Sequence, residues 1–219
     1  MKIYVEGGGQ GKDLRSKCRA GFGAFFKRAG LAGRMPSVVA CGSRNEAFDD
    51  FCTALASGAD AVLLVDSEDS VTAQTSVDPQ RWDSWAVLKN RDGWDVKQSL
   101  AKQSKRLGCQ TVACDSNRAH LMVRCMEAWF LADVEALKSY FGQGFQEGQL
   151  PKCPRTIENI ERKDIFAKLS LATRKTKTKG EYGKGAHSFD ILAMIDPKKV
   201  IVRSPWAKRL VDYLLASCN

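Results

Sequence analysis

Residues 61–69 read AVLLVDSED, and the first five of them are apolar without a break. A run this short cannot make a buried helix of useful length. An uninterrupted apolar run instead suits a strand covered on both faces, as in parallel sheets. The run stops abruptly at Asp66. Reading outward, residues 37–41 (SVVAC) are a second strand-like segment, closed by Gly42-Ser43. Ser43 is a suitable N-cap for a helix over 44–57. Residues 2–5 (KIYV) are a third strand, ending at Glu6 and a cluster of Gly7, Gly8, Gly9 and Gly11. Leu14, Cys18, Phe22, Phe25, Phe26 and Ala29 follow at spacings of mostly three and four, which predicts an amphipathic helix over 12–30. The order β-α-β-α-β predicts an α/β fold, a parallel sheet of Rossmann type with flanking helices. Ligands of such sheets gather at the carboxyl ends of the strands, where Glu6 and Asp66 both stand.

The pattern fades over residues 70–118, which hold Trp82, Trp85 and Trp94 among many polar residues. This stretch is expected to be an insertion of mixed short elements. Residues 121–123 fit a short strand or a helix start. From Arg124 to Tyr140 the spacing of Met126, Trp129, Phe130, Val134 and Leu137 predicts one helix. Glycines and prolines make 142–155 a loop, with Cys153 and Pro154 in it. Helices are expected at 161–174, 187–195 and 205–217, the last with Pro205 in its first turn. The expected organisation is one domain over 1–219, with the insertion and a helical C-terminal part from about 155.

The chain has 219 residues, 44% of them hydrophobic and 27% charged, and no apolar run approaches the ~18 needed to span a bilayer. The N-terminus carries no apolar signal region, so a cytoplasmic protein is expected. Eight cysteines form no CxxC pair and only two histidines are present, which argues against a structural zinc site and for reduced thiols. The formal net charge is +9. Five Lys or Arg fall within residues 173–184 (TRKTKTKGEYGK), a composition suited to a nucleic-acid backbone through Arg174, Lys175, Lys177, Lys179 and Lys184. A solvated loop has the same composition.

Asp66 and Glu68 are two residues apart, so in extended backbone they point the same way. Paired carboxylates repel unless a cation or a proton lies between them. Mg²⁺, or Mn²⁺ in its place, takes oxygen ligands of this type, and Glu6 at a neighbouring strand end adds a third. The competing reading is an acidic loop that caps the next element. EGGGQGK (6–12) is not a P-loop, because Glu6 occupies the first glycine position and Asp13 the Ser/Thr position.

Glu6 after the first strand and Asp66 with Glu68 after a later one resemble the Toprim domain of topoisomerases, primases and overcoming-lysogenization-defect-type nucleases. Glu68 stands where a second Asp is usual. IYVEGGGQGKDLR, LLVDSED, LKNRDGW (88–94), AHLMVRCMEAWFLAD (119–133), GQGF (142–145), KGAHSFDIL (184–192) and IDP (195–197) extend the similarity to a bacterial Toprim-related family over nearly the whole chain. Members are often encoded beside ATPases in phage-defence loci. The resemblance implies a Mg²⁺-dependent nuclease, the effector of such a system. An ATPase subunit, nucleic acid and a second copy of the chain are then the expected partners. It also centres a motif on Glu127, implying a further metal ligand; the alternative is an ion pair with Arg124 or a lysine. Lys184 could neutralise developing phosphate charge and His187 could carry protons, while His120 is expected to order the loop before residue 124. A non-catalytic nucleic-acid-binding or regulatory subunit is the competing function, and a small-molecule phosphotransferase a third.

Overall fold

Four short strands pair in parallel because each is apolar enough to be covered on both faces. The structure, a computed structural model, describes residues 1–71, 78–152 and 155–218. Cys153 and Pro154 lie outside these. The elements run β1 (Lys2–Glu6), α1 (Lys12–Phe26), β2 (Ser37–Gly42), α2 (Arg44–Ala56), β3 (Ala61–Asp66), α3 (Ser84–Asp92), α4 (Val96–Leu107) and β4 (Ala119–Met122). Then come α5 (Val134–Phe141), α6 (Arg162–Thr173), α7 (Ser188–Leu192), α8 (Pro197–Arg203) and α9 (Pro205–Ser217). The sheet order is β2-β1-β3-β4, with every pairing parallel. This is the expected α/β architecture. All six residues of β3 are buried. The chain leaves β1 toward β2 and leaves β3 toward β4, so the winding reverses between β1 and β3. That is where doubly wound sheets bind ligands.

Alternate strand side chains divide into two cores. Ile3, Val5, Val62, Leu64 and Met122 meet Phe22, Phe25 and Phe26 of α1 and Leu210 of α9. Tyr4, Leu63, Val65 and Leu121 meet Phe48 and Phe51 of α2, Leu88 of α3 and Leu100 of α4. Trp129, 1% exposed, stacks on Phe25 with ring centres 5.1 Å apart. Ser43 caps α2 through a reciprocal capping box with Glu46, as its position before the helix predicted.

Three expectations are corrected. The insertion is more than short fragments. Its described part holds α3 and α4, capped by Asp83 and Asp95 and ended by left-handed Gly93 and Gly108. It docks on α2 through Trp94, stacked on Phe48 at 4.3 Å. Residues 124–140 do not form one helix. Arg124 has φ 65°, residues Met126–Ala132 form a 3₁₀ segment, and α5 starts after Asp133. The Met126 N–H donates to Asp66 Oδ1 at 2.9 Å, and Asp133 caps α5 through the Ala136 N–H. Both side chains compete with the helical ladder. Helix α8 was not anticipated, although Asp196-Pro197 is a cap followed by proline at the first helical position.

Helix α7 is pressed onto α1 at Gly21. A Cβ there would lie 2.7 Å from the Phe189 carbonyl oxygen. Arg28 then caps the far end of α7, donating to the carbonyls of Met194 (2.6 Å), Leu192 (3.4 Å) and Ala193. His120 does not order a loop; it is fully buried on β4, with Nδ1 2.9 Å from an Arg209 guanidinium nitrogen. Among the described residues no helix is long and apolar enough to cross a membrane.

Candidate metal centre

The end of β1 carries Glu6 and the end of β3 carries Asp66, with Glu68 in the turn that follows. One carboxylate oxygen from each of the three lies within 4.8 Å of the other two. The three carboxylates singled out in the sequence do converge, but Glu68 arrives through a turn and not along extended backbone. The turn is achieved by placing Glu68 at φ 66°, a conformation that costs a non-glycine residue energy and persists only where the surroundings enforce it. Ser67 helps to do so. Its N–H donates to the Met122 carbonyl, and its hydroxyl accepts from the Arg124 N–H at 2.8 Å.

Asp66 is 4% exposed. Burial, and then the nearby carboxylates of Glu6 and Glu127, hold its pKa well above the ordinary carboxylate range. Burial also raises Glu6, outweighing the Arg44 guanidinium beside it. Lys184 Nζ lies 4.0 Å from Asp66 Oδ2. Burial works against the Lys184 charge, but Glu127 and Asp66 outweigh it and raise the ammonium pKa.

Glu127 is fully buried and lines the same recess as Glu6, Asp66 and Lys184. Its Oε1 accepts from the Tyr182 hydroxyl at 3.1 Å and the Ser188 hydroxyl at 3.3 Å. Its Oε2 has no hydrogen-bond partner. The alternative pairing with Arg124 does not form, because Arg124 makes a two-pronged contact with Glu161 at 2.8 and 2.9 Å. Glu127 thus presents one carboxylate oxygen with no hydrogen-bond donor, in an acidic recess where the Lys184 ammonium, raised by the Glu127 charge, is the neighbouring lysine.

Two arginines complete the surroundings, and neither was anticipated. Arg44 donates to Glu6 at 3.3 Å, to the Asp66 main-chain carbonyl, and by two nitrogens to Asp92 at 2.7 and 2.9 Å. Arg162 pairs with Glu68 at 2.6 Å. Each occupies the first turn of its helix, where the dipole disfavours a cation. That local misfit is the one signal the sequence offered for them.

His187 is set apart from this group. It precedes α7, its Nδ1 accepts from the Gly183 N–H at 3.0 Å, and it is absent from the recess lining. Asp133 pairs with Lys199 at 2.5 Å and accepts from the Asp196 N–H. Arg174, Lys175, Lys177 and Lys179 are exposed on the loop after α6, with Lys179 Nζ 4.6 Å from the Tyr140 ring centre.

The donor set is oxygen throughout, which suits a hard cation such as Mg²⁺ or Mn²⁺. The seven described cysteines are free, and burial pushes Cys18, Cys41 and Cys52 up to about 12, so those three thiols stay protonated at neutral pH. Comparison with curated proteins and with solved structures finds no match. A family profile, described as a domain of unknown function, matches residues 5–215. On this match over nearly its whole length, the chain belongs to this family, DUF4276.

Proposed function

We propose that the protein is a Mg²⁺- or Mn²⁺-dependent nuclease that hydrolyses phosphodiester bonds, working in the cytoplasm. The observation that carries this reading is the convergence of Glu6, Asp66 and Glu68 beside the unpartnered Glu127 Oε2. Glu6, Asp66 and Glu68 would hold the cation, with Glu127 as a further ligand. When bound, such an ion activates water and stabilises developing negative charge on the phosphate. Lys184 remains protonated at neutral pH and offers a second positive charge to the phosphate. Tyr182 and Ser188 fix the Glu127 carboxylate so that its free oxygen keeps one direction. The exposed lysines after α6 supply affinity for a polyanion. The Toprim-like motifs support assignment as the effector subunit of a phage-defence system that works with an ATPase.

The test is incubation of purified protein with plasmid and with total RNA in Mg²⁺ or Mn²⁺. Cleavage is expected from the wild type and from neither Glu6→Ala nor Asp66→Ala; cleavage that survives both substitutions refutes the assignment.

One observation favours a second reading. Arg44 and Arg162 already face Glu6 and Glu68 at 3.3 and 2.6 Å, so the cluster has cations of its own. A nucleic-acid-binding or regulatory subunit of an ATPase complex would need no more than this. Calorimetric titration with Mn²⁺ separates the two, since absence of binding at millimolar metal selects the second.

A further inference from the structure

The recess around Asp66 is about 260 Å³, near the lower end of small-ligand pockets. Two of its acids, Asp66 and Glu127, are 4% and 0% exposed. A phosphate must therefore enter the recess to reach them. Leu14, a half-buried residue of α1, lines the recess. A Cβ at Gly9 or at Gly185 would stand 3.4 or 3.5 Å from its side chain, so Leu14 bridges the two glycine loops. The walls are held by backbone. A Cβ at Gly8 would lie 2.9 Å from the Arg15 Cα, and one at Gly21 would strike the Phe189 carbonyl. The glycine loop after β1 and helix α7 are thus seated on α1 at main-chain distance, which fixes these two walls. Lys184, with 54% of its side chain exposed, supplies a cation where the phosphate would arrive.

We propose that this recess admits one unpaired nucleotide at a time, so that the substrate is a single-stranded segment or strand end and not an intact duplex. The inference rests on the nuclease reading. In a duplex each phosphate is flanked by stacked, paired neighbours on a stiff rod. Bringing one into the recess, down to the buried Asp66 and Glu127, requires the nucleotide to be unpaired and unstacked first. An unpaired strand has already met that cost, and its backbone can bend into the recess. Leu14, Met126 and Phe189 give the recess an apolar side for a sugar or base, while Lys184 and the carboxylates define the polar side.

The experiment compares fluorescein-labelled single strands, blunt duplexes and hairpins, as both DNA and RNA, with bis(p-nitrophenyl) phosphate as a small diester. Single strands are expected to be cut at least about tenfold faster than duplexes of the same sequence, and hairpins in the loop. Leu14→Trp, which adds bulk to the apolar lining, is expected to slow oligonucleotide cleavage while leaving calorimetric Mn²⁺ affinity unchanged. Equal rates on single strands and duplexes, or cutting within stems, overturn the inference and leave the nuclease reading standing. Turnover of the small diester with no oligonucleotide cut also overturns it, while keeping phosphodiester hydrolysis. Loss of every activity overturns both.

Discussion

Asp66→Asn is expected to make the metal-free protein more stable. Glu6 and Glu68 each bring an oxygen within 4.8 Å of the Asp66 carboxylate. At that distance each like-charge pair costs roughly 3.5 kcal/mol at an effective dielectric of about 20. Lys184, at 4.0 Å, returns roughly 4 kcal/mol. Glu127 adds a further repulsion and Arg44 a further attraction; with these two set against each other, roughly 3 kcal/mol of unfavourable charge remains, which solvent at Lys184 and Glu68 screens to about 1–3 kcal/mol. Asparagine can still accept the Met126 N–H through Oδ1. The raised pKa of Asp66 carries the same sign. The folded state holds this proton more tightly than the unfolded chain. Stability is therefore fully present below the unfolded carboxylate value and is lost as pH rises through the folded one. Urea unfolding in EDTA should show the variant ahead by about 1–3 kcal/mol at pH 8, and by less at pH 5. Added Mg²⁺ should stabilise the wild type, by about 2.7 kcal/mol at a hundredfold excess over Kd, and should do little for the variant. A variant less stable than wild type in EDTA at pH 8 would refute the picture of a charge-strained cluster.

Asp133→Ala removes the cap of α5, the acceptor for Asp196 and the Lys199 ion pair together. A loss of about 2–4 kcal/mol is expected in urea unfolding, and a loss below about 1 kcal/mol would refute the assigned role. His120 is buried beside Arg209, and burial first, then the Arg209 charge, hold its pKa well below 6.5. The unfolded chain binds this proton more readily, so stability should fall as pH drops below about 6.5, by up to about 1.4 kcal/mol per unit. Comparing His120→Leu with wild type across pH isolates the slope; identical slopes would exclude His120 as its source.

The β-α-β-α-β core was legible because buried parallel strands and capped helices announce themselves locally. AVLLV and Ser43 needed no long-range information. Glu6 and Asp66 followed from the strand ends; Glu68 was named from period two in extended backbone but reaches the cluster through a left-handed turn that the spacing did not show. Residues 124–140 misled because Met126, Trp129 and Phe130 keep a spacing that a 3₁₀ segment shares with an α-helix. The left-handed Arg124 has no side-chain signature. Arg44, Arg162 and Asp92 could not be assigned partners because those partners lie far away in the chain; a cation in the first turn of a helix was the one local trace of the two arginines. His187 and Lys184 carry similar local promise; what separates them is the Gly183 N–H that occupies His187 Nδ1.

The contact between Gly21 and the Phe189 carbonyl joins two main chains, with no side chain between them. Phe189 and Ser188 form one wall of the acidic recess. The gauge of that recess is consequently set the way a spacer sets a gap, by the absence of material on the far side of α1. Mutational drift in the surrounding phenylalanines can be absorbed by repacking, but a single methyl group at residue 21 would have to displace α7 itself. A position outside the lining of the acidic recess thus acts as the calibration point for the chemistry.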